Sequence, residues 1–85
     1  MTEPQAIAAA LVASGVAKQQ DQAALLGVQP SHWSRHLRED TEGPTRYRSP
    51  SGRTIATWLR RLAAAGHPIR LACGVDGEWA AEVLG

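Results

Sequence analysis

Gly27 and Pro30 divide the stretch QQDQAALLGVQPSHWSRHLR, residues 19 to 38, and they limit what this chain can fold into. Glycine takes a left-handed backbone without a Cβ penalty, so Gly27 is a natural helix stop. Proline lacks an N–H that a first helical turn would leave unbonded anyway, so Pro30 is a natural start. The spacing predicts two short helices, about 18–26 and 30–38, joined by a tight turn. Helices linked this way cross closely at a steep angle. The first must be small where they touch, and Ala23 is small. The second needs apolar anchors on its inner face, and Trp33 and Leu37, four apart, share one. Its other side carries Ser31, His32, Arg35 and Arg38, a set suited to a negatively charged partner.

The rest of the chain supplies a frame. Thr2 with Gln5 has the form of a capping box, so a helix is expected to start at Glu3. It carries Ile7 and Leu11 on one face, with Ala8 and Val12 beside them, and stops at Gly15. Residues 39–53, EDTEGPTRYRSPSGR, form a long irregular stretch, and long loops in small domains are often functional. A fourth helix is expected from about 54 to 65. There Ile55, Trp58, Leu59 and Leu62 repeat at i, i+3, i+4 and i+7, and Gly66 and Pro68 end the run.

Beyond Pro68 the period changes to alternation. A loop of Val75, Asp76 and Gly77, with Gly77 left-handed, pairs Gly74 with Glu78. Cys73 then faces Trp79, Leu71 faces Ala81, Ile69 faces Val83 and Arg70 faces Glu82. The two-residue alternative, Asp76-Gly77, would put the apolar sets on opposite faces, so burial selects the longer loop. A short helix from Glu78 to Leu84 is the competing reading. The expected fold is mainly α: one domain over residues 1–85, with four helices and a C-terminal β-hairpin at about 68–84.

With 85 residues the core is small, and much of the 44% hydrophobic content is alanine. The large anchors expected inside are Ile7, Leu11, Leu26, Trp33, Leu37, Ile55, Trp58, Leu59, Leu62, Leu71 and Trp79. A single cysteine, Cys73, excludes an internal disulfide and a multi-cysteine zinc site. No apolar run reaches the roughly 18 residues of a membrane span. The N-terminus carries Glu3 where a signal peptide would be basic. A cytoplasmic protein without membrane contact is expected. Phe and Asn are absent and Lys18 is the only lysine, a choice that follows GC-rich codons, as in a high-GC bacterium or its phage.

The net charge of +1 hides an uneven distribution. Residues 32 to 61 hold Arg35, Arg38, Arg46, Arg48, Arg53, Arg60 and Arg61 against Glu39, Asp40 and Glu42. The flanks hold Lys18 and Arg70 against Glu3, Asp21, Asp76, Glu78 and Glu82. A basic middle between acidic flanks is the electrostatic footprint of a nucleic-acid binder, set against the plainer reading of an arginine-rich solvated surface.

AKQQDQAALLGVQPSHWSRHLRED, residues 17 to 40, resembles the helix-turn-helix of the Cro and phage-repressor family, often called XRE-like. Gln19, Ala23, Gly27 and Trp33 carry the pattern. The likeness covers about residues 5 to 40, reaches the fourth helix loosely and stops before the tail. Trp33 is bulkier than the usual Ile or Val, Lys18 stands where Thr or Ser is common, and the loop after residue 38 is long for the family. The resemblance implies a Cro-like fold and a transcriptional regulator that binds duplex DNA and occludes a promoter. It implies that Gln19 touches a phosphate and braces the second helix, that Gln29, Ser31, His32, Ser34 and Arg35 read base edges, and that Arg38 touches the backbone.

The chemistry suits these roles. Arginine bonds guanine O6 and N7 together, and Gln29 can pair with adenine. Lys18, Arg46, Arg48 and Arg53 are placed to grip phosphates or enter a minor groove, the last three from the loop. An exposed hairpin edge pairing with its twin would space two reading helices about 34 Å apart, one turn of DNA.

Other readings compete. GPTRYRSPSGRTI can be read as a two-stranded basic wing, with Thr45 to Arg48 as one strand and Arg53 on the return, which resembles the excisionase group of recombination directionality factors. An antitoxin or antirepressor would instead use the hairpin and fourth helix to bind a protein. His32 and His36 are four apart, but a closed metal site needs two more ligands, and nothing places Cys73 or His67 nearby. His36 is expected to pack partly under the loop. No paired carboxylates, phosphate loop or Ser/His/Asp spacing suggests an enzyme. Cys73 falls on the apolar side of its strand, where core packing is expected rather than nucleophilic work. No metal, cofactor or small-molecule ligand is expected.

Overall fold

A computed structural model describes residues 2–38 and 50–84. In order along the chain they form α1 (Glu3–Ala13), α2 (Gln19–Leu26), α3 (Pro30–Leu37), α4 (Gly52–Ala64), β1 (Ile69–Cys73) and β2 (Trp79–Val83). The domain is small and mainly helical, with one antiparallel hairpin. Among the described residues, no helix is long and apolar enough to cross a membrane.

α1 starts as its sequence predicts. The Gln5 N–H donates to Thr2 Oγ1 at 3.4 Å, and the Thr2 N–H donates to Gln5 Oε1 at 3.1 Å. The same Gln5 side chain also donates from Nε2 to the Leu37 carbonyl at 3.2 Å. One glutamine thus closes the start of α1 and ties it to the end of α3. The Val16 N–H reaches back to the Leu11 carbonyl at 2.8 Å, and α1 ends at Ala13, two residues before Gly15.

α2 stops at Gly27, whose φ is 73°. Two constraints meet there. The left-handed backbone disfavours any side chain, and a Cβ would collide with the Arg61 guanidinium. Arg61 is there for a reason: its Nη1 donates to the Leu26 carbonyl at 2.8 Å. That bond satisfies an orphan acceptor at the end of α2 and fastens α4 to it.

α4 begins at Gly52, two residues before the sequence reading placed it. Ser51 is its N-cap and accepts from the Thr54 N–H at 3.2 Å. A serine cap overrode the pull of a glycine in the first turn. Arg53 is therefore helical and exposed at the start of α4, not on the preceding loop. The return strand of a basic wing, which would need Arg53 extended, does not form. Thr45 to Arg48, the other proposed wing strand, lies outside the described residues.

The hairpin has the expected register. Ile69 pairs with Val83, Arg70 with Glu82, Leu71 with Ala81, and Cys73 with Trp79. The Gly74 N–H donates to the Glu78 carbonyl at 2.8 Å and the Gly77 N–H to the Gly74 carbonyl at 3.1 Å. Gly77, at φ 81°, supplies the left-handed residue of this three-residue loop.

The core joins Ile7, Ala10, Leu11, Ala23, Leu26, Trp33, Trp58, Leu62 and Ile69. Trp33 and Trp58 meet edge to face, with ring centroids 5.6 Å apart. Leu37, Ile55, Leu59 and Leu71 flank this cluster half-buried, and Trp79 is also half-buried. Cys73 departs from expectation: it is exposed. Its strand alternates correctly, but only the base of the hairpin lies on the core, where Ile69 is buried, and the rung at Cys73 sits beside the tip.

Gly27→Ala should cost about 2–3 kcal/mol, combining a left-handed alanine with loss of a charged hydrogen bond. Urea unfolding of Gly27→Ala, and of Gly27→Ala with Arg61→Ala, checks this. The second change should add little to the first, because the first has already displaced the guanidinium.

Candidate nucleic-acid interface

The site is built around α3, and α3 is held from below. Trp33 is fully buried, so its indole N–H must find an acceptor away from water. It donates to Gln22 Oε1 at 2.9 Å. The other end of that amide, Nε2, donates to the Val16 carbonyl at 2.9 Å. Gln22 is itself buried, and it links α3, α2 and the α1–α2 connection through one planar group. With the Gln5 bond to Leu37, both the middle and the end of α3 are fixed to the rest of the domain.

Fixing Trp33 inward decides what faces out. Ser31, Arg35 and Arg38 repeat at i, i+4 and i+7, on the side of the helix opposite Trp33. All three are exposed, as are Gln29 and His32, while Ser34 is half-buried. Gln29 is the N-cap and Arg38 the C-cap, so these residues run the full length of α3. The backbone N–H groups of Ser31 and His32 lie in the first turn, where no helical carbonyl reaches them. They give this end of the helix a positive pole beside the cationic side chains. Among the described residues, no acid pairs with Arg35 or Arg38.

Lys18 and Gln19, at the start of α2, are exposed. Lys18 is its N-cap and makes no side-chain capping bond. Arg53 is exposed on a different element, the first turn of α4. Arg46 and Arg48 lie outside the described residues. The structure thus gathers Gln29, Ser31, His32, Arg35 and Arg38 on one helix and places the remaining described candidates on neighbouring helix starts.

His36 belongs to the inside edge of α3. Its ring lies 5.4 Å from Trp58 and 6.5 Å from Trp33, between α3 and α4. Burial lowers its pKa from the usual 6.5, and the charges of His32 and Arg35 lower it further. Among the described residues, no group of three His, Cys, Asp or Glu side chains is placed to hold a metal.

Two supporting residues escaped the sequence reading. Gln22 lies beside Ala23 and one turn before Leu26 on the inner face of α2, so a polar residue sat among apolar positions. A buried tryptophan facing it was the signal that it had work to do. Arg61 was counted as surface charge, although it is three residues after Trp58 and next to Leu62 on the packed side of α4.

In comparisons with known proteins, the chain matches no family model and is significantly similar to no curated protein and no solved structure.

Gln22→Leu should destabilise the fold by about 1–3 kcal/mol, because Trp33 Nε1 and the Val16 carbonyl lose their partner inside the protein. In a Trp33→Phe background the same change should cost less, since no indole N–H remains to be orphaned. A double-mutant cycle by urea unfolding measures this, and additive costs would contradict it.

The histidine gives a pH prediction. The folded pKa of His36 lies below the unfolded value, so the unfolded chain takes up the proton first. The penalty is absent well above pH 6.5, grows as pH falls from about 6.5 toward the folded value and is complete below it. From about pH 7.5 to about pH 5, the wild type should therefore lose more stability than His36→Gln. Equal losses would rule the cause out.

Proposed function

We propose that α2 and α3 act as a helix-turn-helix and that this chain is a sequence-specific duplex-DNA-binding regulator of transcription, acting in a cytoplasm by occluding a promoter. The observation that carries this reading is the outer side of α3. A short helix is fastened through its buried face, yet its exposed face presents Ser31, His32, Arg35 and Arg38 with no acid among them. Stability alone does not call for such an arrangement. It suits a major groove, which admits one helix and offers guanine O6 and N7 as paired acceptors.

The roles follow from position. Arg35 lies at the centre of the outer side and reads a base. Gln29, Ser31 and His32 surround the first turn, where free N–H groups favour a phosphate or a base acceptor. Ser34, on the flank, is limited to a peripheral contact. Arg38, at the end of the helix, holds the DNA backbone together with Lys18 and Gln19. Arg53, at the start of α4, adds backbone attraction from a second element. The resemblance to Cro and phage repressors supports the same assignment, and the C-terminal hairpin fits a small α+β regulator of that kind.

Two substitutions separate reading from holding. Arg35→Ala should cost about 1–3 kcal/mol on the preferred duplex and relax preference at one base pair. Arg38→Ala should weaken all duplexes about equally and flatten the salt dependence by about one unit. Fluorescence anisotropy over a range of salt concentrations measures both. If Arg35→Ala leaves specific binding intact, the reading surface is not α3.

A further inference from the structure

We propose that Arg61, besides fastening α4 to α2, grips a backbone phosphate of DNA at the turn between α2 and α3. The phosphate is part of the duplex that α3 reads, so the inference rests on the DNA reading and adds to it a contact supplied by α4.

The guanidinium is held in one place. Its Nη1 donates to the Leu26 carbonyl at 2.8 Å, which pins it over the end of α2. A Cβ built on Gly27 would lie 2.9 Å from Cζ and 3.4 Å from Nε, so the charged group lies across the glycine itself. Gly27 has no side chain to cover it, and both residues are exposed. A free surface arginine loses rotamer entropy when it takes a ligand. Arg61 has lost much of that freedom to the fold already, so it meets a ligand preorganised.

The group also has donors to spare. A guanidinium carries five N–H bonds in a planar fork that matches a phosphate, and the Leu26 carbonyl takes one of them. Among the described residues, Arg61 makes no other hydrogen bond and pairs with no acid. α4 itself holds three arginines and no acid, so nothing on its own helix competes for the charge. Closing one carbonyl requires a donor, not a charge and a fork of further donors.

Position decides what the charge meets. Gly27 stands two residues before Gln29, at most about 7 Å along the backbone, so the guanidinium lies roughly 10 Å from the start of α3. The first turn of α3 is the part that enters the major groove. That groove is about 12 Å wide, and one helix fills it. A cation just outside the start of such a helix stands at the rim, where the phosphates run. Lys18 and Gln19 lie at the opposite end of α2, about 10 Å away along its axis. The duplex is then held at two separated points rather than one.

The salt dependence of duplex binding tests this on the full chain, because each neutralised phosphate adds about one unit to the slope of log affinity against log salt. Arg61→Gln keeps an N–H donor and removes the charge. It should lower the slope by about one unit and weaken preferred and unrelated duplexes by the same factor. Arg61→Lys keeps the charge without the fork and should keep most of the slope. Arg60→Gln removes an exposed charge one residue along, about 100° around the helix, and should leave the slope within a few tenths of a unit. Circular dichroism verifies that each variant is folded. Loss of the Leu26 bond alone changes stability and not the number of ions released. An unchanged slope in Arg61→Gln overturns the phosphate contact. So does an equal fall in Arg60→Gln, which makes net charge the cause. A fall in Arg61→Lys as large as in Arg61→Gln assigns the residue to the fold alone and overturns the contact too. In all three results the wild type still binds DNA, so the reading by α3 stands. A wild type that binds no duplex at low salt refutes that reading, and this contact with it.

Discussion

A single buried amide organises this domain. Gln22 accepts from the Trp33 indole and donates to the Val16 carbonyl, both at 2.9 Å. A tryptophan is the largest side chain a small core can use, and its N–H cannot be buried without an acceptor. Gln22 meets that demand and, in doing so, fixes the rotation of α3 about its own axis. Which side chains of α3 face outward depends on that rotation. Gln5 and Arg61 extend the scheme, each using a side-chain donor to close a helical carbonyl that would otherwise be left open. Such a small domain has few apolar contacts to spend on orientation, and directional bonds supply it instead.

The parts of the fold that local rules decide were legible in the sequence. Thr2 and Gln5 announced α1, Gly27 and Pro30 announced the turn between α2 and α3, and the period-two tail gave the hairpin with its register. That register followed because the loop chemistry and the need to bury one face agreed. Other parts depended on tertiary placement. Ser51 moved the start of α4 because its cap was worth more than the glycine cost, which took Arg53 off the loop and removed the return strand of a wing. Cys73 has the right alternation for a buried position, but alternation does not say how far a hairpin extends past the helices beneath it. Gln22 and Arg61 were ordinary polar residues until their partners were known.

The candidate site divides the same way. The inward turn of Trp33 and the outward turn of Arg35 were readable from helical spacing. The sequence also set His36 apart from His32, but not the ring it packs on, because that required α4 to bring Trp58 alongside. The result is a helix with one stiffened side and one cationic side. The hairpin carries Asp76, Glu78 and Glu82 against Arg70 alone, so an acidic tail follows the basic middle of the sequence. That polarity would orient the reading helix toward a polyanion during encounter and keep the hairpin away from it.

The central claim is that α3 reads duplex DNA. In vitro selection from random duplexes with the folded, full-length protein tests it most directly. The account predicts strong enrichment of an inverted repeat, with half-sites about one helical turn apart. No enrichment at low salt, from protein shown to be folded, would contradict it.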